Sequence, residues 1–136
     1  MKKVYIYNQH EPSVKDTEKV HMEMISSISN GSTDIILCDC LDSVEYGERT
    51  NKTKEMLSKL KVNGEITFKT VNLDLMARSI YLDQLDLSSI NNIIHSCSSI
   101  VNDEFFTACL VSDDRFLITE NINDQIFRTT TIKRIK

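Results

Sequence analysis

The chain has 136 residues, 40% of them hydrophobic and 26% charged, with one Pro and three Gly; that fits a single α/β-sized domain over residues 1–136 and excludes collagen-like, low-complexity and disordered classes. A net charge of −4 argues against a protein whose main work is neutralising nucleic-acid phosphates. No apolar run approaches the roughly 20 residues of a membrane span, and residues 1–8 lack the apolar stretch of a signal peptide, so the expected location is cytoplasmic, with no membrane partner.

Lys3-Val4-Tyr5-Ile6-Tyr7 is β-branched and aromatic and reads as a strand. After Pro12, Asp16 is placed to cap a helix in which Thr17, Val20, His21, Met24, Ile25 and Ile28 form one apolar stripe. Asn30-Gly31 ends it. Asp34-Ile35-Ile36-Leu37-Cys38 is a continuous apolar run, the pattern of a strand buried on both faces in a parallel sheet. A loop through Asp39, Leu41 and Asp42 leads to a helix from about Glu48 to Lys61, with Met56, Leu57 and Leu60 inward. Asn63-Gly64 turns the chain into a third strand, Glu65 to Val71.

Three helical segments follow. Asn72 is placed to cap the first, with Leu73, Met76, Ala77, Ile80 and Tyr81 on one stripe. Asp86 or Ser88 caps the second, with Leu87, Ile90, Ile93, Ile94, Cys97 and Val101 inward, and Asn102 opens the third, with Phe105, Phe106, Cys109 and Leu110 inward. Arg115 to Thr119 and Gln125 to Ile135 are strands joined by the turn cluster at Asn121 to Asp124. The alternation predicts right-handed crossovers and a parallel sheet, and the short last link predicts an antiparallel hairpin.

Basic residues gather at Arg49, Lys52, Lys54, Lys59 and Lys61 and read as a solvated helix face, since Glu48 and Glu55 each precede a lysine by four. Cys38 and Cys40 point the same way along a strand and are expected to be buried free thiols; their spacing is not that of a zinc site, and no metal set is read from the sequence. His95 and Cys97 are two apart on a helix and cannot face each other as base and nucleophile.

From Ser32 onward the chain resembles the C-terminal half of class I, Rossmann-like, S-adenosylmethionine-dependent methyltransferases, including small phage-encoded proteins of that kind. Thr33-Asp34-Ile35-Ile36-Leu37-Cys38-Asp39-Cys40-Leu41-Asp42 looks like that family's fourth strand and the loop after it. Leu60-Lys61-Val62-Asn63-Gly64-Glu65-Ile66 looks like its turn into the fifth strand, and Asp114-Arg115-Phe116 opens what looks like its antiparallel sixth and seventh strands. The resemblance implies a shortened Rossmann-like three-layer sandwich of about five strands, in the order first, second, third, fifth, fourth. It also implies S-adenosylmethionine as the cofactor if the chain is an enzyme.

The departures set the functional expectation. The family's glycine-rich cofactor loop after strand one is replaced by Asn8-Gln9-His10-Glu11-Pro12, and the family's second and third strands are expected to be missing, together with the ribose-holding acid. The expected protein is a methyltransferase-like fold that has lost catalysis and serves as a binding or structural module, phage-encoded and set in a larger assembly or virion. Its expected partner is another protein or further copies of itself. The alternative is an active methyltransferase with an atypical pocket or one completed by a partner chain. Ligands of open parallel sheets sit at the carboxyl ends of the strands, which marks Asn8, Gln9, Asp39, Asp42, Asn72 and Asp74 as candidate binding residues, with no catalytic residue singled out.

Overall fold

A computed structural model describes residues 1–102 and 104–136. Its centre is a six-stranded sheet: β1 (Lys3–Tyr7), β2 (Glu18–His21), β3 (Thr33–Cys38), β4 (Leu60–Val71), β5 (Phe116–Asp124) and β6 (Phe127–Arg134), in the order β2-β1-β3-β4-β6-β5. β2, β1, β3 and β4 are parallel, whereas β6 runs antiparallel to both β4 and β5. The five expected strands stand in their expected order, and β2 is added at the outer edge.

β2 overturns the helix expected from Asp16 to Ile28. Only Met22–Ser27 is helical, as a short 3₁₀ stretch. Asp16 takes a left-handed φ of 56° in the turn before β2 and caps nothing. The apolar residues still reach the core, but by a different geometry. Val20 and Met22 alternate as strand residues do, and Ile25 and Ile28 follow on the 3₁₀ turn, while Met24 is left 57% exposed. Of the two strands expected to be missing, the second is therefore present, and among the described residues nothing pairs beyond it.

Alternation along the strands decides the layers. Val4, Ile6, Ile36, Cys38, Ile66, Phe68 and Ile132 point to one face and are fully or almost fully buried. That face is covered by the 3₁₀ turn through Ile25, by α1 (Arg49–Ser58) through Met56 and Leu57, and by α4 (Phe105–Leu110) through Phe105 and Phe106. The opposite face is covered only at its carboxyl margin. There α2 (Leu73–Tyr81) and α3 (Leu87–Ser96) place Met76, Ile93 and Cys97 against Val71 and Phe127. Below that margin Tyr5, Tyr7, Ile35 and Leu37 stay half-exposed, so β3 is buried on one face rather than both, and the third layer of the expected sandwich is confined to the rim.

The helix caps at Asn72 and Asp86 are as expected: Asn72 accepts from the Leu75 amide at 3.2 Å and Asp86 from the Ser89 amide at 2.7 Å. The expected inward stripes are only partly used. In α2 Met76 alone is buried, and α3 buries no residue fully, with Leu87 72% and Ile94 50% exposed. Asn102 does not cap α4 through its side chain; its carbonyl accepts from the Phe105 amide, and Glu104 holds the cap position. Arg49 and Lys59 also depart from a solvated face. Arg49 lies buried between the rings of Tyr46 and Phe105 and donates to the Ile100 carbonyl, and Lys59 donates to Asn30 Oδ1 at 2.8 Å.

Gly64, at the entry to the paired part of β4, is required by close approach. A Cβ there would meet the backbone carbonyls of Thr33, Asp34 and Lys61, each at 3.0 Å. Backbone cannot swing aside as a side-chain tip can, so Gly64→Ala is expected to cost about 2 kcal/mol in urea unfolding. A neutral result would mean that β3 and β4 lie farther apart here than described.

Candidate functional site

The parallel strands all end at one edge, and α3 lies over it. Between them is an open cavity of about 330 Å³ lined by Tyr7, Asn8, Gln9 and His10 after β1, by Asp39, Cys40, Asp42 and Ser43 after β3, and by Lys69, Phe127, Ile93 and Cys97 from β4, β6 and α3. Four of the six residues marked by the sequence, Asn8, Gln9, Asp39 and Asp42, thus line one cavity. Asn72 and Asp74 do not join them. They line a second cavity of about 400 Å³ with Val101, Glu104 and Arg128. There Asn72 serves as the α2 cap and also donates to Asn123 Oδ1, and Asp74 sits exposed in the first turn of α2, where an acid is favoured.

Most polar groups of the first cavity are already held by the protein. Asn8 donates through its side-chain amide to Ser43 Oγ at 2.7 Å, and Ser43 in turn donates to the Cys40 carbonyl. Asp39 accepts from the Tyr5 hydroxyl at 2.6 Å. Burial, and then the Asp39 carboxylate, push the Tyr5 phenol above its usual value, so it stays protonated and donates. Asp42 is buried, and its two oxygens accept from the amides of Val71 at 2.7 Å and Val101 at 3.0 Å. Its backbone carbonyl accepts from Ser98 and Ser99. Asp42 therefore ties the end of β4 to the segment between α3 and α4, and its carboxylate is spent on structure. Gln9, His10, Lys69 and Ser96 are exposed on the rim together with Asp39, and the Lys69 ammonium lies 4.4 Å from the centre of the Phe127 ring.

The cysteines are not set up for nucleophilic work. Cys38 and Cys40 do share a buried face, with sulfurs 3.9 Å apart, and Cys40 donates to the Ile6 carbonyl. The neighbouring sulfur and burial push the Cys40 thiol up. Burial and then the Asp42 carboxylate raise Cys97 in the same direction. A nucleophilic cysteine needs the opposite shift. Among the described residues no group of three or more His, Cys, Asp and Glu side chains is placed to hold a metal ion.

Sequence reasoning missed Tyr5, His21, Lys69 and Phe127. His21 closes β2 beside Tyr7, with ring centres 5.4 Å apart. It accepts from the Glu23 amide at Nδ1 and donates from Nε2 to the Asn8 carbonyl, an assignment that follows from the two partners. The side-chain alternation of β1 is the signal that would have placed Tyr5 and Tyr7 on one face.

This edge architecture is that of the class I, Rossmann-like methyltransferase fold, with β3, β4, β5 and β6 in the places of its fourth, fifth, sixth and seventh strands. Solved structures with the same fold include an O-methyltransferase family protein from Burkholderia thailandensis (TM-score 0.58, 15% identity, 87% of this chain and 36% of that one). A SAM-dependent methyltransferase from Archaeoglobus fulgidus matches at TM-score 0.56 and 12% identity, over 88% of this chain and 68% of that one. A possible exported protein from Bordetella parapertussis matches at TM-score 0.60 and 12% identity, over 88% of this chain and 45% of that one. The chain spans less than half the length of two of these three, 45% and 36%. No protein-family model matches it, and no curated protein matches it in sequence.

The fold implies S-adenosylmethionine, which methyltransferases of this class cradle on a glycine-rich loop after strand one and hold by an acid at the end of strand two. The residues present do not fit that cradle. β1 passes to β2 through residues 8–17 without a glycine and without a helix, and β2 ends at His21, whose ring is committed to Asn8.

Proposed function

We propose that this chain is a binding or structural module built on the methyltransferase fold, without methyl transfer of its own. One observation carries the reading. The connection from β1 to β2 lacks both the glycines that let backbone approach a ligand and the helix whose N-terminus would meet it. The cavity above β1 and β3 keeps the place of a ligand site while its carboxylates and amide serve internal bonds. A role within a larger assembly fits the partly covered helices α2 and α3, and a phage source rests on the Ile-, Asn- and Lys-rich composition alone.

Calorimetric titration of the purified protein with S-adenosylmethionine and S-adenosylhomocysteine tests this. The expected result is no heat of binding up to about millimolar ligand. Micromolar binding that Asp39→Ala weakens would overturn it and favour an active methyltransferase with an atypical pocket.

A further inference from the structure

Asp42 holds both ends of one stretch of chain. One carboxylate oxygen accepts from the Val71 amide at 2.7 Å, where β4 ends, and the other from the Val101 amide at 3.0 Å, where the chain returns to the main core. The Asp42 carbonyl adds bonds from the Ser98 and Ser99 amides, and the Asn72 amide donates to the Ile126 carbonyl at 2.7 Å. Between these anchors nothing polar ties the stretch down. Among the described residues, every hydrogen bond of residues 73–97 stays within residues 72–97, and none of these side chains forms an ion pair. What seats the stretch is one apolar cluster, separate from the main core, in which Met76, Leu85, Ile93 and Cys97 pack with Val71, Ile126 and Phe127. Of residues 73–97 only Met76 is buried. α2 and α3 are joined by a tight turn in which Asp83 takes a left-handed φ of 53°, and the Asp83 and Gln84 amides donate back to the Ile80 and Ser79 carbonyls.

We propose that residues 73–97 form a flap that opens and closes as one body over the strand-end cavity, hinged at the two ends that Asp42 holds. Opening uncovers one small cluster and leaves the main core intact, so it lies well below global unfolding in free energy. Because both helices lean on the same cluster, losing the seat of one loosens the other. The flap supplies Ile93, Ser96 and Cys97 to the cavity wall, and the sheet supplies Lys69, Val71 and Phe127. The bonds from Asn8 to Ser43, from Ser43 to Cys40 and from Tyr5 to Asp39 lie wholly outside the flap. The cavity thus has a fixed polar end and a gated apolar end, and the flap sets how much of Val71 and Phe127 a ligand can reach.

Hydrogen–deuterium exchange of the intact chain, read on peptides by mass spectrometry, tests this. The hydrogen-bonded amides of α2 and α3 are expected to exchange at least about a hundredfold faster than those of β1, β3 and β4. Two variants then separate a flap from unfolding of the whole chain. Met76→Ala weakens the seat in α2, and it is expected to speed exchange of α2 and of α3 alike, at least about tenfold. Ile132→Val trims a fully buried side chain of the main core, which the open flap leaves in place. It is expected to speed the strand amides about fivefold and to leave α2 and α3 within about twofold of the original. Labelling of the Cys97 thiol, mapped by mass, should follow the same pattern: faster in Met76→Ala and unchanged in Ile132→Val. Should Met76→Ala fail to fold, the original chain and Ile132→Val still decide the matter. Helix amides no faster than the strand amides overturn the proposal. So does an α3 that ignores Met76→Ala, or an Ile132→Val that speeds the helices as much as the strands.

Discussion

Phe68→Ala is expected to lower the unfolding free energy by about 4 kcal/mol, read as a fall in the urea midpoint at unchanged slope. Phe68 is fully buried in the middle of β4 and lies 4.8 Å from the Phe106 ring, tilted by 31°. Phe106 in turn meets Phe105 edge-on at 5.2 Å. Truncation leaves a ring-sized void between the sheet and α4 that neither backbone can close, and it removes one aromatic pair. A loss below about 2 kcal/mol would mean that α4 can collapse onto the sheet, and hence that it is a loosely held element rather than part of the core.

Asp42→Ala is expected to cost about 3 kcal/mol, because it leaves two buried amides, those of Val71 and Val101, without their acceptor. The pH dependence has a definite sign. Burial raises the Asp42 carboxyl above its ordinary value near 3.8, against the pull of those two amides and of Arg49. The folded state therefore holds the proton more tightly than the unfolded chain does. The stability this supplies is complete below about pH 3.8 and is lost as pH rises through the higher folded value. Comparing wild type with Asp42→Asn isolates this group, since acids held low, such as Asp34 beside the Lys2 amide and Lys61, are common to both proteins. Wild type is expected to lead by more at about pH 4 than at about pH 7 in paired melts, and a gap that widens with pH would sink the account.

The central strands were legible because their patterns are local. The apolar run at Ile35 to Cys38 and the alternation of β4 and β6 are statements about neighbours in sequence. β2 was not legible, because Val20, Ile25 and Ile28 satisfy a helical stripe and also the strand-then-3₁₀ path the chain takes. Four strand residues are too few to break that tie without knowing that Tyr5 pairs with Lys19. The stripes of α2 and α3 were read as core because periodicity reports which side is apolar, not whether anything covers it. Only Met76 found full cover. At the site, Asn8, Gln9, Asp39 and Asp42 could be placed from the rule that strand ends converge. What the sequence could not reveal is that Tyr5 binds Asp39 and that two distant amides claim Asp42, since all three bonds cross more than twenty residues of chain.

The two margins of the sheet have a consequence for strand addition at its edges. One margin is β2, four residues long and preceded by the left-handed turn at Asp16. The other is β5, which bulges after Ile118 and then runs through Glu120, Asn121, Asn123 and Asp124. Shortness, a bulge and charge are the devices by which proteins deny an incoming strand a straight ladder to pair with. Both margins therefore disfavour the edge-to-edge strand pairing from which fibrils grow.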